Sequence, residues 1–516
     1  MTAKTLVIAN SLSGALGLLA FPPLNWYWLG LVFLVPHFVF LAQETRPWRL
    51  FWGVCLFRSI LVVGLVYYFF EPIFYATNVL LFAGIVPVLL LVKRCLTSFV
   101  RDPSQRSLLM MVVIGCCYLV FEYLQARYSF LPLFAMTSGA PLGDSPFVGL
   151  ARFEGVVGLA IFVIVVNAVF AGGWLWAVSR RSQAPVMATP GKLLVVGILN
   201  SLLIGGGLRV SQHLLAQNRA AYEAKEGIVN IAVVSVSQAF AQETQAKTVE
   251  DYETTAEIIQ TVAGYVHTLT EALRQHGTKP DLIVFPEDMI DFEFWAVPDP
   301  QAHERFTITN AGPAIALYRS MARQLQRPVL FVLTTIEQAG RYNSALLMDE
   351  TGDLTALYHK NDLAFAMESW PFGRFHPFYF DWRMDEDARY ESPIYNPAYR
   401  YRAGDSASLF QLSQGLTLGT PICIEVHYPY RMREFVRRGA DVLVNTSSNM
   451  SSRSGLRLYL DETLHFRRIE AVWLGIPIIF CGRRDDAGIV FPDGTADLVS
   501  FSDTEAFQVY QGTVRY

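Results

Sequence analysis

Seven apolar stretches in the first 210 residues constrain this chain more than any other feature. They lie near 5–22, 26–42, 50–70, 75–92, 107–125, 155–178 and 193–208, and each approaches the ~20 residues a helix needs to cross a bilayer. A lipid-embedded backbone must satisfy its own polar groups, so the spacing predicts a polytopic α-helical membrane domain of about seven helices over 1–210. The first stretch, TLVIANSLSGALGLLAF, follows Lys4 and contains small residues, as a signal-peptide core does. Six more apolar stretches directly behind it favour a retained anchor. The whole-chain composition, 52% hydrophobic and 17% charged, hides a split. Beyond about residue 228 the charges are spread evenly, as in a water-soluble domain, and 211–227 reads as the linker.

Positive charge orients the spans. Lys4, then Arg46 and Arg49, then Lys93, Arg94, Arg101 and Arg106, then Arg180, Arg181 and Lys192 fall in alternate connections. The intervening loops near 23–25 and 71–74 carry no basic residue, and 126–154 carries Arg127 and Arg152. The N-terminus is therefore expected in the cytoplasm, and an odd number of crossings places everything beyond 210 outside. Two charges fall within spans. Arg58 lies roughly 12 Å deep in the third, and Glu122 near the outer end of the fifth. They read either as a structural ion pair or snorkelling groups, or as partners for a lipid headgroup entering sideways.

The polar half, 228–516, repeats short β-rich apolar runs at 228–236, 281–287, 328–336, 343–348, 416–425, 440–447 and 475–482. Amphipathic helical patterns at 248–275, 312–326 and 456–473 separate several of them, and AGIVFPDG and AFQVYQGTVRY read as a closing pair of strands. Alternation of this kind predicts a layered α/β domain. The aperiodic, aromatic segment 370–405 reads as a long surface loop. The net charge of −4 and the lack of a basic stripe give no nucleic-acid signal. Six cysteines are too few for a disulfide framework, and no C-x-x-C pair, His/Cys cluster, GxGxxG or P-loop points to a metal or cofactor.

Three strand-end residues carry candidate chemistry. DLIVFPEDM ends in Glu287, LTALYHKNDLAFAME sets Lys360 behind a strand-like run with Glu368 eight residues on, and GTPICIEV holds Cys423. Taken singly, Cys423 reads as a buried apolar filler, or as half of a Cys423–Cys481 disulfide. Taken together, a thiol, an ammonium that lowers its pKa and a carboxylate that takes its proton make a set for acyl transfer through a thioester. The same lysine, with a backbone N–H beside the cysteine, can hold the oxyanion.

This set resembles the nitrilase, or carbon–nitrogen hydrolase, superfamily, whose members place a Glu-Lys-Cys triad on an α-β-β-α sandwich. With several spans in front, the chain is similar to the apolipoprotein N-acyltransferase family. LLAFPPLNWYWLGL, FEYLQARYSFLPLF, RYNSALLM, the Lys360-to-Glu368 spacing, Cys423-x-Glu425 and HFRRIEAVWLGIPII carry the likeness. The resemblance implies Glu287 as general base, Lys360 as oxyanion holder and Cys423 as nucleophile, with Glu368, Glu425 and Asn343 in support and no cofactor or metal. It further implies a phospholipid acyl donor, an apolipoprotein acceptor, a monomer, and a multi-pass location in a bacterial inner membrane with the catalytic domain on the periplasmic side. The chain departs from the family at NDLAFAME after Lys360, at Ile424, at SSNMSSRSG and at RRDDAG, and has no match for the tryptophan early in the sandwich. The family also leads one to expect a further transmembrane helix beyond Tyr516. These departures leave the acyl acceptor open. The alternatives are a membrane-tethered amidase or acyltransferase serving another amine or amide, and a non-catalytic lipid or lipoprotein binder.

Overall fold

A computed structural model describes residues 2–65, 72–128, 137–178, 190–237, 279–289, 313–337, 339–370, 392–449, 456–500 and 507–516, with isolated residues in 264–274, 372–389 and 502–505. Of the expected helix at 248–275, residues 264, 267, 268 and 270–274 are described and helical, and the rest lies outside the described residues, as do much of 370–405 and the stretch 450–455. Two compact units emerge. One takes Met1–Arg219 with Ser452–Gly475 and Pro492–Gly494; the other takes Ala220–Ser451, Ile476–Phe491 and Thr495–Tyr516.

The first unit is helical. It runs α1 (Ala3–Ala20), α2 (Tyr27–Gly30), α3 (Val35–Gln43), α4 (Pro47–Leu65), α5 (Pro72–Ala83), α6 (Ile85–Phe99), α7 (Pro103–Tyr128), α8 (Val156–Val178) and α9 (Pro190–Glu223). Among the described residues, six helices are long and apolar enough to cross a membrane. The expected span at 26–42 is instead two short helices, because Pro36 sits in the first turn of α3, where it cannot donate backward and the helix must restart. The freed backbone groups find a partner on α8. Asn167 Oδ1 accepts the Leu34 N–H at 2.8 Å, and its Nδ2 donates to the Gly30 and Val163 carbonyls at 3.1 and 2.8 Å. Such re-satisfaction makes broken helices tolerable in lipid.

Small residues let helices close up. A Cβ on Gly14 would lie 2.7 Å from Ile60, and one on Gly17 2.6 Å from Leu61, so α1 meets α4 only because both are glycine. Arg58 and Glu122 are both buried. Arg58 Nε donates to Asn78 Oδ1 at 2.7 Å and its guanidinium lies 4.7 Å over the Phe82 ring. Glu122 accepts from the Ser138 backbone N–H and hydroxyl at 3.1 and 2.9 Å. Both charges thus have hydrogen-bond partners inside the bundle.

The expected linker 211–227 is helical as far as Glu223, because SQHLLAQNRAAYEAKE holds no Gly or Pro and is rich in good helix formers. Near the end of the chain, α12 (Leu456–Leu474) also belongs to the helical unit. Arg152 Nη1 donates to the Trp473 carbonyl at 2.9 Å, and Asn218 Nδ2 donates to Val472 and Pro492 carbonyls at 2.8 and 2.9 Å.

The second unit is built on twelve strands in one hydrogen-bonded network: β1 (Ile228–Val236), β2 (Leu282–Glu287), β3 (Val329–Glu337), β4 (Gly340–Met348), β5 (Leu354–His359), β6 (Leu409–Gln411), β7 (Thr417–Gly419), β8 (Val442–Ser448), β9 (Ile478–Arg483), β10 (Ala487–Val490), β11 (Ala496–Val499) and β12 (Phe507–Arg515). The order is β5-β4-β3-β2-β1-β9-β8-β7-β6, with β12 antiparallel on β1 and β10 on β9. Strands β3–β2–β1–β9–β8–β7 run parallel, which sends their C-terminal ends to one edge, where such sheets assemble sites. Helix α10 (Pro313–Leu325) lays Ile315, Tyr318, Met321 and Ala322 on a core of Ile283, Phe285, Val329, Phe331 and Leu346. Tyr318 stacks on Phe331 with centroids 3.8 Å apart. The expected strand at 416–425 stops at Gly419. Pro421 has no N–H for a ladder, and only an isolated bridge, Ile422 to Thr446, continues it before Cys423 opens a 3-10 turn, Cys423–His427.

Candidate active site

Glu287 closes β2 and Lys360 is the first residue after β5. The Lys360 N–H donates to the Asn343 carbonyl at 2.8 Å and its carbonyl accepts from Gly404 N–H at 2.9 Å, so its backbone is fixed on both sides. Cys423 heads its turn at φ +51°, in the left-handed region that a residue with a Cβ adopts only under constraint. The constraint is visible. Asn445 of β8 donates from Nδ2 to the Pro421 and Cys423 carbonyls at 3.2 and 3.1 Å, gripping the turn from the neighbouring strand.

The side chains converge. Lys360 Nζ donates to Glu368 at 2.9 and 2.8 Å and lies 4.0 Å from Glu287 Oε1. Asn343 Nδ2 donates to Glu287 Oε1 at 2.6 Å and to Glu368 Oε1 at 2.7 Å, bridging the two carboxylates. Glu368 is itself held by the Ala364 N–H at 2.6 Å. The Cys423 thiol interacts with the Glu287 carboxyl, the Lys360 ammonium and the Ser448 backbone. Cys423 and Cys481 are both free thiols, so the disulfide alternative does not hold.

Burial and charge set the protonation states. Burial pushes the Glu287 carboxyl above its ordinary range, with Lys360 pulling the other way. For Lys360, burial opposes the ammonium, yet Glu368, Cys423 and Glu287 outweigh it and hold the pKa well above ordinary. Burial and then Glu287 push the Cys423 thiol up, and Lys360 only partly offsets them. The expected lowering of the thiol pKa by Lys360 is therefore present but outweighed. The resting sulfur keeps its proton, and the raised Glu287 carboxylate is matched to receive it as the sulfur attacks. Lys360 remains charged beside the place where an oxyanion would form.

Glu425, fully buried, accepts from the Tyr358 hydroxyl and from the Asn361, Asp362 and Ile422 N–H groups at 2.7, 2.8, 3.0 and 2.8 Å. The sequence-expected residues Glu287, Lys360, Cys423, Glu368 and Asn343 thus share one cluster, and Glu425 stands behind it as a backbone clamp. Tyr358 and Asn445 escape a reading of the sequence. Each alternates among apolar strand residues, and only the parity of Tyr358, two before Lys360, could have drawn notice.

Two family models match the sequence. Residues 230–501 match the carbon-nitrogen hydrolase family model, and residues 13–169 match the apolipoprotein N-acyltransferase N-terminal domain. An apolipoprotein N-acyltransferase of Pasteurella multocida is 24% identical over 95% of this chain and 85% of its own length. One of Aquifex aeolicus is 22% identical over 73% of this chain and 70% of its own. Apolipoprotein N-acyltransferase 1 of Treponema pallidum is 31% identical over a shorter stretch, 22% of this chain and 19% of its own length. Among solved structures, a carbon-nitrogen hydrolase from Helicobacter pylori aligns at 16% identity over 55% of this chain and 88% of its own, with a TM-score of 0.37.

Proposed function

Since the chain belongs to the carbon-nitrogen hydrolase family and carries ahead of it the N-terminal domain of the apolipoprotein N-acyltransferases, we propose that it transfers a fatty acyl chain from a phospholipid to the N-terminal amine of a diacylglyceryl-cysteine apolipoprotein. The observation that carries this reading is the convergence of Glu287, Lys360 and Cys423, brought by two strand ends and a 3-10 turn, in one cluster. In the first step Cys423 Sγ attacks the ester carbonyl while its proton passes to Glu287. Lys360 holds the oxyanion. The ester C–O bond then breaks, Glu287 returns the proton to the glycerol oxygen, and a lysophospholipid leaves a thioester on Cys423. In the second step the acceptor amine attacks the thioester, the C–S bond breaks, and one amine proton reaches the sulfur through Glu287.

The helical unit, with its six spanning-length helices, would keep both acyl-bearing substrates within the bilayer. With the shorter apolar stretch Tyr27–Gln43 counted as a seventh crossing, the distribution of Lys and Arg supports placing the sheet unit on the periplasmic side of a bacterial inner membrane. One chain supplies the whole triad, which supports a monomer as the working unit. The test is to incubate the purified protein with acyl-labelled phospholipid, quench, and map the label, then add a lipopeptide with a free or an acetylated α-amine. Label on Cys423 that moves only to the free amine is the expected result. Rapid release of free fatty acid would assign a hydrolase instead, and absence of any Cys423 adduct would overturn the reading.

A further inference from the structure

The Glu425 carboxylate accepts four hydrogen bonds, and none comes from a reacting atom. Its Oε1 accepts from the Tyr358 hydroxyl and from the N–H groups of Asn361 and Asp362; its Oε2 accepts from the Ile422 N–H. Asn361 and Asp362 directly follow Lys360, and Ile422 directly precedes Cys423. One carboxylate therefore ties the backbone that carries the oxyanion holder to the backbone that carries the nucleophile. Three of its four partners are main-chain N–H groups, which only a proline would remove. The fourth is a side chain.

We propose that Tyr358 is a positioning residue for acyl transfer: its hydroxyl orients Glu425 so that the Lys360 turn stays locked to the Cys423 turn. This rests on the acyl-transfer reading above and adds a residue to it. Tyr358 lies on β5 with no exposed surface, its ring edge-on to Phe435 of α11 (Pro429–Arg437) at 5.2 Å between centroids. A phenylalanine would fill the same space, so packing does not require the hydroxyl. Burial, then Glu425, hold the Tyr358 pKa well above that of a free phenol, so the group is always a donor. The carboxylate it serves is poorly placed for a charge. Burial and then Asp362 raise Glu425 to about 7, against the Ile422 and Asp362 N–H groups and the Lys360 ammonium. Tyr428, at the start of α11, and Arg431 of α11 face the same pocket, Arg431 being paired to Asp362 Oδ2 at 2.6 Å. All four groups around the carboxylate are donors, so the O–H of a protonated Glu425 would face a donor in place of an acceptor, and the lock is complete only above that pKa.

The test compares Tyr358→Phe and Asp362→Asn with the parent protein, reading the rate of Cys423 acylation by labelled phospholipid from pH 5 to 9. Removing the hydroxyl takes a donor from the anion, so Tyr358→Phe is expected to slow acylation about tenfold at pH 7. Its acid limb should move up by about one pH unit, with the KM for phospholipid unchanged. Asp362→Asn removes a neighbouring negative charge and should move the limb the other way. A parental profile in Tyr358→Phe overturns the proposal, as does a loss uniform in pH that tracks a fall in melting temperature. Should Tyr358→Phe fail to fold, an unmoved or raised limb in Asp362→Asn overturns it alone. Haloacetamide labelling of Cys423, mapped by mass spectrometry, reads the same shifts without an acyl donor. If even the parent forms no acyl-enzyme, the acyl-donor reading has failed, while the labelling still decides the role of Tyr358.

Discussion

Replacing Lys360 by methionine should destabilise the protein in a way that depends on pH. Lys360 is fully enclosed and is the cation shared by Glu368, at 2.8 Å, and Glu287, at 4.0 Å, whose carboxylates are also bridged by Asn343. Without it, two carboxylates share a buried site and at least one must take up a proton to remain there. Keeping a carboxyl of ordinary pKa ~4.3 neutral costs about 3.7 kcal/mol at pH 7 and about 1 kcal/mol at pH 5. The first figure agrees with the ~3–5 kcal/mol usually lost when one partner of a buried pair is removed. Lys360 itself adds no pH dependence across this range, because its pKa is held well above ordinary and it stays charged throughout. The expected result for Lys360→Met is a melting temperature about 10 °C below the parent at pH 7, at roughly 2–4 °C per kcal/mol, recovering most of the gap by pH 5. Thermal unfolding in detergent at pH 5, 6, 7 and 8 measures it. Lys360→Met/Glu368→Gln, which removes both partners, should regain most of the loss at pH 7. A deficit that does not change with pH, or a double variant no better than the single, would refute the argument that the charges form one coupled cluster.

Three further predictions follow from the same contacts. Cys423→Ser should abolish turnover with the melting temperature within about 2 °C of the parent, since only one atom at a half-buried site changes; retained activity would remove Cys423 from its role. Glu287 has a raised folded-state pKa, so the stability it contributes is greatest at low pH and is lost as pH rises through that pKa. Glu287→Gln should therefore melt higher than the parent at pH 8–9, with the advantage vanishing toward pH 4, while acylation is lost at every pH; equal melting curves at pH 9 would contradict this. Asn167→Leu should cost about 2–3 kcal/mol, because it leaves the Leu34 N–H and Gly30 carbonyl of the α2–α3 break unpaired. Unfolding in mixed micelles checks it, and a loss below about 0.5 kcal/mol would mean other groups repair the break.

The reading of the sequence succeeded where one local pattern sufficed. Glu287 and Lys360 stand at the ends of short, largely apolar runs, β2 and β5, that read as strands, and the end of a strand is a position that a linear sequence reveals. Cys423 was harder. TLGTPICIEV has the composition of one strand, yet Pro421 cannot join the ladder, and the turn that follows is stabilised by Asn445 from a distant strand. Tyr358 was invisible for a related reason. It looks like any core aromatic until its hydroxyl is seen to meet Glu425, a partner 67 residues away. The break at 26–42 hid behind hydrophobicity, which measures lipid affinity and is insensitive to one proline. The electrostatic balance at the thiol depended on depth of burial, which no spacing encodes, so the ammonium's pull was expected and its defeat was not.

The order of the chain and the order of the units disagree, and biosynthesis has to live with that. The bundle's last segments, 452–475 and 492–494, leave the ribosome more than two hundred residues after α9. During that interval the inserted helices wait with a docking place unfilled, while much of the sheet is still being made. Proteolytic cleavage in the stretch 450–455 would separate the late helix from one neighbour in sequence without removing it from the bundle. Splitting the gene at residue 227, by contrast, would deprive the first product of a helix and hand the second an unwanted one.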